Sequence, residues 1–179
     1  MNKEQIVAAY KKPAANATKI AFDLIEARNF PAWLINSKKS IIVIDPNIGK
    51  LEYFVYSDYL SAGDDNGFVY LPCNPKQLHV FMEEKNLLLP TTQMVKQIYA
   101  ASEIKPPIIT SRSLKNGSSK TSSPLNIPAH SEALQKYLAN GKLTAGHKKD
   151  VVLTDNLLHK NYANNVAIFG WFTSDGEII

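Results

Sequence analysis

The sequence has few of the residues that fix a function by themselves. It holds one cysteine (Cys73), two arginines (Arg28 and Arg112), and neither a glycine-rich phosphate loop nor a Gly-x-Ser-x-Gly elbow. A single cysteine excludes an intrachain disulfide and any zinc site built from several thiolates. Two arginines and scattered lysine pairs do not make the concentrated basic stripe that nucleic acid requires, so nucleic acid is not an expected partner. Long apolar runs are missing as well. Ile41–Ile44 and Leu87–Leu89 are far too short to span a bilayer. The N-terminal stretch lacks the apolar core of a signal peptide. A soluble chain is expected; its compartment stays open, and export would require a signal peptide that this chain does not carry.

The four histidines, His79, His130, His147 and His159, include no pair at i, i+4 or at the short turn spacing of a zinc site, so no metal and no cofactor is expected. Asp64-Asp65-Asn66-Gly67 reads as a tight turn, because the alternating oxygen ligands and closing Glu of a calcium loop are lacking. Cys73 reads as a half-buried thiol after a strand, and His79 as a surface residue.

At 179 residues and 45% hydrophobic content the chain can bury one core. Residues 1–17 read as an N-terminal arm with a short helical stretch at Lys3–Tyr10. Residues 18–179 read as a single α+β domain with a mobile polar loop at about 103–127, where Ser, Pro, Lys and Asn replace any periodicity. Apolar residues recur at helical spacing from Thr18 to Arg28, and Pro31 ends that run. Asn74-Pro75 and Thr91-Thr92 are helix starts, and a further helix follows Pro128. Five strands are expected: Ser40–Asp45, Leu51–Tyr56, Gly67–Leu71, Lys149–Thr154 and Asn165–Phe172. Strands and helices come in runs, which predicts one mainly antiparallel sheet with helices packed on one face.

The densest ionisable cluster is Gly146-His147-Lys148-Lys149-Asp150, a turn feeding a strand. His147 is the candidate acid–base group, with Asp150 three residues on to orient it and Lys149 or Lys148 to meet an oxyanion or an anionic ligand. Pairing of the Asp150 and Trp171 strands would put Trp171, with Tyr59, beside the cluster as an aromatic wall. The plain reading is a polar turn, with His147 bonded to backbone and its lysines solvated. Both stay open.

Ser57–Pro72, Leu87–Ser102, Leu143–Thr154 and Asn164–Trp171, in this order and after Ala32-Trp33-Leu34, resemble a family of uncharacterised bacterial proteins, many of them exported. The resemblance covers most of Asn29–Trp171. It implies an α+β fold and a site around the Gly-His-Lys-Lys-Asp segment, without an activity to carry over. Two departures stand out. Phe172 occupies the place where the family carries a histidine after Gly-Trp, and the family's later Tyr-Ser-His-Gly type segment does not follow before Ile179. Two functions are therefore expected as alternatives. One is a hydrolase-like domain acting on a peptide or cell-envelope polymer, with His147 as acid–base group. The other is a non-catalytic binding or structural protein, its partner a small molecule, peptide, glycan or protein.

Overall fold

The structure is a computed structural model and describes residues 1–47, 49–109, 126–154, 166–173 and 176–178. The fold is α+β. The chain runs α1 (Lys3–Lys11), α2 (Ala17–Glu26), α3 (Ala32–Asn36), β1 (Lys38–Asp45), β2 (Gly49–Tyr56), β3 (Ser61–Asp64) and β4 (Gly67–Tyr70). It continues with α4 (Pro75–Lys85), α5 (Thr92–Ala101), α6 (Asn126–Gln135), β5 (Lys149–Val152) and β6 (Ala167–Gly170). No helix among the described residues is long and apolar enough to cross a membrane.

The strands pair antiparallel, β1 with β2, β3 with β4 and β5 with β6, and these pairs are three separate two-stranded sheets instead of the one sheet expected. The reason is length. β3 to β6 are four residues each, too short to extend a shared ladder, and helices fill the space between the pairs. β3 was not among the expected strands, because Ser61-Ala62-Gly63-Asp64 has none of the β-branched residues that mark one. Gly63 there has φ +140, and a Cβ would stand 2.2 Å from the Gly67 carbonyl oxygen, so only glycine fits. The tip is the turn that the sequence indicated: Asp64 Oδ1 accepts from the backbone N–H groups of Asn66 (2.9 Å) and Gly67 (3.1 Å).

Helix starts follow their caps. Asn2 with Gln5 and Asn74 with Gln77 make reciprocal capping boxes; Asn16 and Thr91 cap α2 and α5. Pro75 opens α4 at a position where its missing N–H costs nothing.

Within residues 1–17, expected as an arm, α1 instead packs into the core. Ile6 and Tyr10 on α1 are both 0% exposed, packed with Ala21, Leu24 and Ile25 of α2, Ala62 and Val69 of the β3–β4 pair, Phe81 and Ile127. Those two residues are spaced four apart on one helix face, which gives α1 an inward stripe despite its lysines. A second cluster holds Phe68, Tyr70 and Leu134 with Trp33, Tyr59 and Ile109. A third holds Val95, Tyr99, Ala145, Val152 and Phe172. The expected polar loop at 103–127 falls largely on residues 110–125, outside the described residues. Its flanks are anchored: Ile104 bridges to Thr144, and Asn126 and Ile127 are buried at the start of α6.

Candidate functional site

The segment Leu143–His147 is not an exposed turn. Every residue in it is buried, and it threads between the clusters as irregular chain. Backbone N–H groups tie it down on both sides. Thr144 donates to the Ser57 carbonyl (2.8 Å) and Ala145 to that of Ile104 (3.2 Å), while Phe172 donates to the Gly146 carbonyl (3.2 Å). Gly146, with φ +94, lies so close to Tyr99 that a Cβ would meet its ring at 2.5 Å. That contact forces the chain to swing past Tyr99 and presents His147 on the far side.

His147 is 1% exposed. Its ring stands edge-on to Tyr59 (centroids 4.8 Å apart) and tilted against Tyr70 (5.4 Å). Neither ring nitrogen has a hydrogen-bond partner among the described residues, so the backbone bond of the plain reading is not made. His147 lines a cavity of about 320 Å³ together with Cys73, His130, Lys148, Lys149 and Trp171, closed by Leu71, Pro72, Ile109 and Ile127. Burial, reinforced by Lys148 and His130, pushes the imidazole well below its ordinary pKa, so it is neutral at physiological pH.

The two lysines separate. Lys148 is half-buried, with its Nζ 4.7 Å from the centre of the Tyr70 ring. Burial pushes its pKa down to about 8, while Asp58 and Cys73 pull it back up. Lys149 is exposed at the rim, its Nζ 4.6 Å from the centre of the Trp171 ring. Trp171 reaches the pocket because Lys149 pairs with Gly170 in the β5–β6 ladder and Trp171 follows with φ 77. Asp150 does not hydrogen-bond His147. Its Oδ2 lies 3.3 Å from the Tyr59 hydroxyl, which also lies 3.2 Å from the Lys148 carbonyl and accepts from the Gly146 N–H at 3.3 Å. Asp150 thus holds Tyr59, and Tyr59 backs His147; neither is in the cavity wall. Burial pushes the Asp150 carboxyl up to about 7.

Three members of the site went unseen in the sequence. Asp58 accepts the Tyr70 hydroxyl at 2.7 Å through Oδ2 and the Tyr59 N–H at 2.7 Å through Oδ1, and burial pushes it up to about 7. Only the β3–β4 register, with Ser61 opposite Tyr70, brings these two together, and β3 carried no strand signal. His130 is presented by α6, with burial as the main cause of a pKa lowered to about 4. Cys73 also lines the cavity, but burial holds its thiol up at about 12, so it is no ready thiolate. His79 is exposed and pairs with Glu83 at 3.3 Å. His159 lies outside the described residues. No group of three metal-ligating side chains is found among the described residues. Phe172 stacks on Tyr99 (centroids 4.0 Å apart, 8° between planes), away from the walls of the His147 cavity.

No family model, curated protein or solved structure matches this chain.

The buried ionisable groups set an unusual pH dependence of stability. Asp58 and Asp150 titrate higher folded than unfolded, so their contribution is fully present below about pH 4 and is lost as pH rises toward about 7. His130 and His147 titrate lower folded than unfolded. Their contribution is present above about pH 6.5 and is lost as pH falls, toward about 4 for His130 and well below 6.5 for His147. The two slopes oppose each other across the same window. Urea melts between about pH 4 and 6.5 are therefore expected to show little net trend from these four groups, whereas Asp150→Asn tilts the series toward greater stability at higher pH. An Asp150→Asn series parallel to the unaltered protein would contradict the assignment.

Proposed function

We propose that the His147 cavity is the active site of a hydrolase acting on a peptide or cell-envelope polymer, with His147 as the acid–base group. The observation that carries this reading is a neutral imidazole, 1% exposed, with both ring nitrogens unbonded to the described protein groups, in the wall of a cavity that also holds a lysine. A buried polar side chain normally has a partner, and one that lacks it at a cavity wall is a candidate for contact with a reacting group.

In this reading a water at His147 gives up a proton to the imidazole as its oxygen adds to the substrate carbonyl. The bond to the leaving nitrogen or oxygen then breaks, and the imidazolium returns the proton to the leaving group. Lys149, lying on Trp171 at the rim, supplies a cation for the carbonyl oxygen that gains charge. Asp150 and Asp58 are positioning residues: through the Tyr59 and Tyr70 hydroxyls they fix the two rings that clamp His147. A second reading, a non-catalytic binding protein using the same cavity, is favoured by one feature: no carboxylate among the described residues hydrogen-bonds His147.

The pH profile of kcat/KM on a panel of short peptides and p-nitrophenyl esters separates the two. Catalysis should persist well below the pKa of free imidazole, because His147 stays neutral there, and should weaken above about pH 8 as Lys148 loses its proton. Absence of turnover on the whole panel, with ligand still bound, would leave the binding reading.

A further inference from the structure

The lining of the His147 cavity is one-sided in charge. Among the described residues it includes two lysines and two histidines and no carboxylate. The acids nearby are turned to tyrosines: Asp58 is engaged by the Tyr70 hydroxyl, and Asp150 lies against that of Tyr59. Lys148 makes no ion pair among the described residues; its ammonium rests on the face of Tyr70. Asp58 attracts this half-buried ammonium without closing an ion pair, and an anionic ligand in direct contact would offset the remaining cost of its burial. The remaining walls are apolar or aromatic, Leu71, Ile109, Ile127 and Trp171.

We infer that this cavity receives the free carboxylate end of an acyl or peptide chain, its carboxylate on Lys148 and its apolar body against Trp171, Ile109 and Ile127. The inference deepens the acid–base reading by naming the substrate class, and its binding half can fail separately. Three features favour this occupant. One half-buried ammonium matches the single charge of a carboxylate better than the double charge of a phosphate monoester. His147 is neutral and offers one unengaged N–H donor without further charge, while the N–H of neutral His130 is taken by the Ile109 backbone. The volume, about 320 Å³, sits at the low end of the roughly 300–1,000 Å³ range of ligand pockets. It fits a chain end and not a polymer strand passing through. An enzyme with this site trims ends.

Calorimetric titration of the intact chain at neutral pH with hydrocinnamate, hydrocinnamide and phenyl phosphate tests the inference. The acid is expected to bind about tenfold or more tighter than the amide, because a charge-assisted contact is made by one and not by the other. Lys148→Met should erase that preference and Lys148→Arg should restore part of it. Should Lys148→Met fail to fold, the unaltered protein still decides. The groups facing Lys148 are Tyr70, Asp58, Cys73, His130 and His147, and in this whole set only Lys148 itself loses a positive charge near pH 8. The preference must therefore decay above about pH 8. Equal binding of acid and amide, no binding of either at millimolar concentration, or tighter binding of phenyl phosphate each overturns the inference. His147→Gln separates it from the acid–base reading: lost turnover with equal acid and amide binding rejects the carboxylate site alone, while retained turnover with the preference intact rejects only the role of His147.

Discussion

A chain from which residues 1–12 have been deleted will not unfold cooperatively. Ile6 and Tyr10 are both fully buried against α2 and the β3–β4 pair, so their loss opens a hole at the centre of the largest apolar cluster. Emptying a buried isoleucine or aromatic position costs about 2–5 kcal/mol each. A domain of this size holds only about 5–15 kcal/mol in total. Loss of α1 also uncovers Ala21, Leu24, Ala62 and Val69, all buried in the full chain. The expected result is a broad, shallow urea transition and weakened near-ultraviolet circular dichroism. The milder Ile6→Ala variant should keep a cooperative transition, shifted to lower denaturant. A deletion that melts as sharply as the full chain would show α1 to be a detachable arm after all.

What the sequence disclosed about this fold depended on how local the signal was. The starts of α4 and α5 were legible because an Asn or Thr three residues before its bonded N–H carries its own capping geometry, whereas α3 was not expected and α6 begins at Asn126, ahead of Pro128. The β1–β2 hairpin was legible from its β-branched run, and its register pairs Ile41 with Tyr53 as alternation requires. The role of α1 was not, since a short helix with Ile6 and Tyr10 as its anchors and lysines at both ends looks the same loose or docked. β3 was missed for lack of any β-former, and with it the Asp58–Tyr70 contact that it sets up. The site followed the same rule. Gly146–Asp150 stood out by composition, yet which lysine is half-buried is decided by neighbours remote in the sequence. Lys148 and Lys149 both line the cavity, one half-buried on Tyr70 and one exposed on Trp171. The burial of His147 was illegible too, because it comes from Tyr59 and Tyr70, remote in the sequence.

That burial changes the experiment which bears most on function. For a histidine on an exposed turn, His147→Ala would be a clean probe. At 1% exposure, between two tyrosine rings, alanine would leave a cavity and loosen Tyr59 and Tyr70, so lost activity could reflect packing alone. His147→Gln is the better choice. It keeps most of the volume and a polar end while removing the group that accepts and returns a proton. If His147 carries general acid–base catalysis, turnover of the substrate panel should fall by about 10²–10⁴-fold. The melting transition and the near-ultraviolet spectrum of the tyrosines should stay close to those of the unaltered protein. Asp150→Asn supplies the control. Acting through Tyr59, it should shift the pH–rate profile and cost less turnover than His147→Gln, because the imidazole remains in place. Turnover that survives His147→Gln in a folded protein would remove the acid–base assignment and leave the cavity as a binding site.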